Sequence, residues 1–320
     1  MEIHIGIDGG GTHAMAAAVT GDGSVLTVRE GGSLNENNLG RAIVREHLHA
    51  LVGEVLRECG AERFTSLTAG LASLDGPGSP DMTAALCAPD WDMAGVRLES
   101  DAMVALSGGT LGGPGMAVIC GTGSMLLLAD QQGRQRVSGG WGYALGDPGS
   151  GYELAAQAVR HVLRASERGE DVGLLKETVL GYFGVHRPRE LLGAFYRVPF
   201  DPAFPAGLAG QVLSLAGEGE KVCLGMVREQ MRRLADQAAP LLKDQDPLPD
   251  VYVYGGIFRH HPWTVQLFAQ ALEKAGKPEV AFPEFPPEIG AVLLGTHRGQ
   301  DPAFVRELRA SMKKGGWEHA

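Results

Sequence analysis

The chain has 320 residues, 44% hydrophobic and 21% charged, with a formal net charge of −10 at pH 7. That length suits two domains of a soluble globular protein, and the acidic balance argues against a broad nucleic-acid surface, which demands clustered Lys and Arg. The four cysteines, Cys59, Cys87, Cys120 and Cys223, form no CxxC pair, so no zinc or iron–sulfur spacing is seen and a reducing cytoplasm is expected. No apolar run is long enough to span a bilayer, and no basic-then-apolar leader pattern is read. Neither a membrane nor a nucleic acid is expected as a partner.

The first element in chain order is a strand, IHIGI from Ile3 to Ile7, which runs into the turn DGGGT and a second strand, MAAAVT. Gly9, Gly10 and Gly11 allow positive φ and a close backbone approach to a bulky anion, so that N–H groups and Thr12 cradle phosphate oxygens. Asp8, at the strand end, suits Mg²⁺ held through water. A glycine-rich β-hairpin accounts for the turn taken alone. It is neither a dinucleotide fingerprint, because a strand rather than a helix follows, nor a Walker loop, because no G-K-[ST] follows. Asn35, in SLNENNLG, offers both a donor and an acceptor, and is by default a turn residue.

Residues 40–59 carry helical apolar spacing through Ile43, Leu48, Leu51, Val55 and Leu56. TSLTAGLAS (65–73) reads as a strand entering a loop, VRLES (96–100) as a strand, and DAMVAL (101–106) as the start of a helix. At that junction Asp101 is either an N-cap or a base for the proton of an attacking hydroxyl. The glycine-rich stretch SGGTLGGPG (107–115) is the best domain boundary. It predicts domains 1–112 and 113–320, with the last helix free to return to the first.

Residues 116–138 repeat the opening grammar: MAVI, the turn CGTGS, MLLLAD, QQGR, then QRV. The turn Gly121, Thr122, Gly123, Ser124 matches DGGGT in place and chemistry, and two such turns would grip a nucleotide from two lobes. The stretch GGWGYALGDPGSGYELA (139–155) follows. Here Gly140 and Gly142 let backbone approach a ligand, Asp147 suits hydroxyl donors, and Trp141 suits the apolar face of a sugar. The plainer alternatives are that Asp147 or Ser150 caps the next helix and that Trp141 fills the core. Helices are expected over 151–166, 219–243 and 262–275. Between the last two, the strand VYVYGG ends in Gly255 and Gly256, leaving room for adenine or simply turning into a helix. The pairs His47/His49 and His260/His261 do not face together as metal ligands.

Four stretches, IGIDGGGT, ICGTGS, VYVYGGI and above all GGWGYALGDPGSG, together resemble the N-acetylglucosamine kinase/BadF-type ATPase family of the actin, hexokinase and heat-shock chaperone superfamily. The resemblance covers nearly the whole chain, and PEIGA (287–291) is similar to a late motif that closes the second domain. It implies an α/β fold of two ribonuclease H-like domains flanking a nucleotide and sugar cleft, with ATP and Mg²⁺ as cofactors and a homodimer as the assembly. It further implies Asp101 as catalytic base and Asn35, Trp141 and Asp147 as sugar ligands. The implied reaction is phosphorylation of an amino sugar, first of all N-acetylglucosamine to its 6-phosphate. Two positions depart from the family pattern: His13, where Lys or a small polar residue is common, and Pro148, where Glu is common.

Three alternatives stand beside that expectation. One is a glucosamine kinase. Another is a BadF-type ATPase that activates a CoA-ester dehydratase or reductase; such proteins hold an iron–sulfur cluster on cysteines, and Cys120 has no evident cluster partners in sequence. The third is a sugar-sensing regulator, whose DNA-binding helix pair and zinc motif are not read here.

Overall fold

Alternation along Ile3, Ile5 and Ile7 sets one face of the first strand into a hydrophobic core. The computed structural model describes residues 1–317 and places that strand at the centre of a five-stranded sheet. The sheet comprises β1 Ile3–Gly9, β2 His13–Thr20, β3 Val25–Gly32, β4 Ser66–Leu71 and β5 Val96–Ser100, in the order β3-β2-β1-β4-β5. The β1–β2–β3 meander is antiparallel, and β4 and β5 run parallel to β1. After α1 (Glu36–Leu39), α2 (Arg41–Glu58) lays Val44, Leu48, Leu51 and Val55 onto the isoleucine face. Then come α3 (Pro80–Leu86) and α4 (Asp101–Thr110).

A second sheet repeats the plan with β6 Gly115–Cys120, β7 Ser124–Ala129, β8 Gln135–Gly139, β9 Val251–Tyr254 and β10 Val280–Ala281. Its order, β10-β9-β6-β7-β8, read from β8 is the order of the first sheet. The internal echo is therefore structural, and the two small-residue turns join equivalent strands. Helices α5 (Gly151–Arg168), α6 (Gly173–Phe183), α7 (Leu191–Phe195), α8 (Ala203–Ala206), α9 (Leu208–Gly217) and α10 (Lys221–Leu242) intervene before β9. Past β9 lie α11 (Gly256–His260) and α12 (Trp263–Leu272), and past β10 lie α13 (Pro287–Thr296) and α14 (Pro302–Gly315).

Two compact units result. One holds residues up to Ala117, Leu127–Gln135 and everything described from Phe282 on; the other holds Val118–Leu126 and Arg136–Ala281. The stretch 107–115, read from sequence as the best domain boundary, begins as the end of α4, where Ser107, Gly108 and Gly109 are all buried. PEIGA opens α13, which belongs to the first unit and packs on β1, β4 and α4, rather than closing the second domain. Missing side chains permit this packing. A Cβ at Gly6 would overlap the Glu288 carbonyl, and one at Gly290 would stand 2.6 Å from the Gly108 nitrogen. The C-terminal MKKGGWEHA is helical through Gly315, and Trp317 packs on the core of α13 and α14. Its last three residues lie outside the described residues. No described helix is long and apolar enough to cross a membrane.

Candidate active site

The sequence-predicted residues fall into two sets, one in each unit. In the first, Asp8 is the penultimate residue of β1 and pairs across with Gly70 of β4. Opposed residues share a sheet face, and a Cβ at Gly70 would stand 3.1 Å from the Asp101 Cα. The start of α4 therefore sits beside the Asp8 side of the sheet. Gly6, two residues earlier, is on that same face, where the backbone of Glu288 lies against it. The N-termini of α4 and α13 thus meet at the end of β1, which brings Asp8, Asp101 and Glu288 into one electrostatic group.

None of these carboxylates has a cationic neighbour acting on it. Burial, followed by the negative charges of Glu288 and then Asp101, pushes the Asp8 carboxyl up to about 7. Burial likewise pushes Glu288 up to about 7. Burial also raises Asp101, with a contribution from Asp75, against the hydrogen bond donated by the Ala102 N–H at 2.7 Å. The cap of α4 is not Asp101 but Ser100, whose Oγ accepts from the Met103 N–H at 3.2 Å. Asp101 is the first helical residue, and its carboxylate is not needed to end the helix.

Beside this group lies the first turn. Ser33 Oγ donates to the Gly10 carbonyl at 3.0 Å, and the Asn35 N–H donates to Ser33 Oγ at 3.2 Å. Asn35 is thereby held near Gly11, while its own Oδ1 caps α1 by accepting from the Asn37 N–H at 3.0 Å. Gly11, Thr12 and His13 are exposed. The positive φ expected for Gly9 to Gly11 is not found. At Gly9 the requirement is close approach, since a Cβ would stand 2.6 Å from the Gly70 carbonyl oxygen.

In the second unit, Gly121 to Ser124 joins β6 to β7. The Gly121 carbonyl accepts from the Gly151 N–H at 2.8 Å, which ties the turn to the first residue of α5. Ser150 caps that helix through the Glu153 N–H, leaving Asp147 for something else. Asp147 is buried and adopts a φ of +62° that Asp tolerates better than most residues, and the nearby N–H groups of Ser124 and Gly142 favour its charged form. Its Oδ1 has no partner, and burial raises its pKa. Gly139, Gly140 and Gly142 all have positive φ and shape the loop that carries Trp141. Trp141 is 71% exposed and so is not a core residue. Gly255, at a φ of +93°, packs so tightly on Cys120 that a Cβ would overlap its carbonyl. Its glycine identity follows from packing, whereas Gly256 is exposed. Cys120 is fully buried, and burial holds its thiol far above the usual range.

Glu288 is the residue that sequence reasoning passed over. Its one signal is an acid within the apolar run PEIGAVLLG. No group of three or more His, Cys, Asp or Glu among the described residues has a metal-holding arrangement.

Paired sheets of this order, each with a small-residue hairpin on its central strand, define an actin/hexokinase-like ATPase fold. Within it, the chain belongs to the BadF/BadG/BcrA/BcrD ATPase family, which it matches over residues 5–295. It is 27% identical to the N-acetyl-D-glucosamine kinase of Dictyostelium discoideum, over 92% of this chain and 97% of that one. It is 29% identical to the N-acetylmuramic acid/N-acetylglucosamine kinase of Clostridium acetobutylicum, over 73% and 77%. A Chromobacterium violaceum structure carrying a provisional N-acetylglucosamine kinase assignment superposes with a TM-score of 0.71 at 25% identity, over 92% and 99%. The fold extends to a ROK family glucokinase from Streptomyces griseus solved with glucose and AMPPNP, with a TM-score of 0.54 at 18% identity over 92% and 98%.

Proposed function

We propose that this chain is an ATP-dependent amino-sugar kinase that phosphorylates N-acetylglucosamine on its 6-hydroxyl. The observation that carries this reading is the state of Asp101. It is a partly buried carboxylate with a raised pKa, freed from capping by Ser100 and grouped with Asp8 at the end of the first phosphate-type turn. A base with those properties accepts the hydroxyl proton as the sugar oxygen bonds to the γ-phosphorus and the bond to the departing ADP oxygen breaks.

Around that step the other residues hold and orient. Backbone N–H groups of Gly9, Gly10, Gly11 and Thr12, and of Gly121, Thr122, Gly123 and Ser124, take phosphate oxygens; Gly255 and Gly256 lie along the adenosine. Asn35, the backbone of Gly140 and Gly142, and the unpartnered Oδ1 of Asp147 meet sugar hydroxyls, while exposed Trp141 covers an apolar sugar face. Mg²⁺ fits the acidic surroundings of Asp8, on which the charges of Glu288 and Asp101 act, and Asp8 would hold it through water. When bound, the ion neutralises charge on the β- and γ-phosphates.

The choice of sugar rests on the names of the relatives and on Pro148. Its carbonyl is occupied by the Ser124 hydroxyl at 2.8 Å, and it offers no carboxylate to a charged 2-amine. A coupled ADP-release assay with N-acetylglucosamine, glucosamine and glucose tests the choice. Highest kcat/KM is expected for the N-acetyl sugar. A tenfold preference for glucosamine, about 1.4 kcal/mol, overturns the acceptor while leaving the kinase, and no ADP release with any sugar overturns both. The proposal includes a cytoplasmic setting, supported by four unpaired cysteines, and a homodimer, supported by the family resemblance and checked by light scattering.

A further inference from the structure

Glu288 is 1% exposed, and its Oε1 has no hydrogen-bond partner. An acid in the first turn of a helix ordinarily serves the helix dipole from the surface, in contact with water or end N–H groups. The Glu288 backbone instead lies against Gly6 in the middle of β1, and the missing side chains of Gly6 and Gly290 let α13 approach β1 and α4 respectively. Its negative charge acts on Asp8, and Asp101 adds a second. A buried, unpartnered carboxylate oxygen beside two further acids costs stability unless a cation answers it. Two carboxylates, with water and phosphate oxygens completing the shell, are the usual protein contribution to a Mg²⁺ site.

We infer that Glu288 is a second carboxylate, with Asp8, for the divalent cation that accompanies the nucleotide phosphates, a role that rests on the kinase reading above. The inference assigns to the start of α13 a ligand rather than a packing function. It also explains why a helix that is otherwise Pro, Ile, Gly, Ala, Val, Leu and Thr carries one buried acid.

The test is direct metal binding. Free Mn²⁺ is followed by electron paramagnetic resonance while it is titrated into protein saturated with ADP, for the wild type, Glu288→Gln and Glu288→Asp. Gln keeps the size of the side chain and a hydrogen-bonding end but removes the charge. About ten- to a hundredfold weaker Mn²⁺ binding is expected for Glu288→Gln, with metal-free ADP affinity unchanged and Glu288→Asp in between. Mn²⁺ affinity within twofold of wild type in Glu288→Gln overturns the inference and leaves the kinase reading intact. Failure of the wild type to bind ADP overturns both. Should the variants not fold, wild-type protein with ADP and Fe²⁺ in place of Mg²⁺ is treated with ascorbate and peroxide, and backbone cleavage is mapped by mass spectrometry. Cuts around residues 8–10 and 287–290 support the inference, whereas cuts at the first segment alone overturn it.

Discussion

Asp147 lies over Gly123: a Cβ added at Gly123 would stand 2.7 Å from the Asp147 Oδ2. The backbone N–H groups of Ser124 and Gly142 lie near enough to favour the charged form of the same carboxylate, so one side chain stands between the proposed sugar loop and the second phosphate turn. Gly123→Ala displaces that carboxylate and both segments with it. About tenfold weaker MgADP binding by calorimetry, ~1.4 kcal/mol, is expected together with a raised KM for the sugar. An effect on neither would detach Asp147 from the turn.

Gly121 provides the contrast. A Cβ there meets nothing within 4 Å, and its φ is not positive. The Gly121→Val protein should therefore fold with stability within about 0.5 kcal/mol of wild type. It should nevertheless lose nucleotide binding, because the open space is where phosphate must come. A Gly121→Val protein that melts normally and binds MgATP normally would remove this turn from the nucleotide site.

Asp101 and Ser100 divide base and cap between adjacent residues. Asp101→Asn should lower kcat by about a hundredfold or more while leaving MgADP affinity and Tm near wild type. Ser100→Ala should do the reverse, costing about 1 kcal/mol of stability through loss of the cap. Since burial raises the Asp101 pKa, the acid limb of kcat/KM should fall above the ordinary Asp range. Comparing kcat and melting temperature across the two variants decides the division.

What the sequence made legible was whatever leaves a local trace. The hairpins DGGGT and CGTGS stand out because runs of small residues between apolar strands are rare, and their repetition foretold two sheets of one order. The long helices α2, α5 and α10 fell within a few residues of their apolar spacing. Asp101 was read as a possible cap because Asp suits a strand–helix junction; the Ser100–Met103 hydrogen bond gives the cap to Ser100 instead. The packing role of Gly108 was illegible for a related reason. A glycine buried against Phe285, with a Cβ position that would overlap the Phe285 carbonyl, looks in sequence like a glycine in a linker. Glu288 was illegible because its partners, Asp8 and Asp101, are distant in sequence. Nothing in PEIGA tells that the chain returns to β1.

The pH dependence of stability follows from that hidden group. Asp8 and Glu288 ordinarily titrate at 3.8 and 4.5, and in the folded protein both stand at about 7. Between roughly pH 4 and pH 7 the folded protein therefore holds protons that the unfolded chain has released. Stability falls as pH rises wherever the folded state binds more protons. In metal- and nucleotide-free protein these two groups thus cost nothing below about pH 4 and progressively more up to about pH 7, above which the loss levels off. His4 runs the other way: burial lowers its pKa, so acid below its ordinary value destabilises. A single melting curve mixes the two, and the difference between wild type and Glu288→Gln isolates the carboxylate. Below about pH 4 Glu288 is neutral in both the folded and the unfolded state, as Gln is, and the two proteins should melt together. At pH 8 the wild type buries a charge that Gln lacks, so Glu288→Gln should be the more stable by on the order of 2 kcal/mol. Parallel melting temperatures from pH 5 to pH 8 would show that Glu288 is not the buried, ionising group described here.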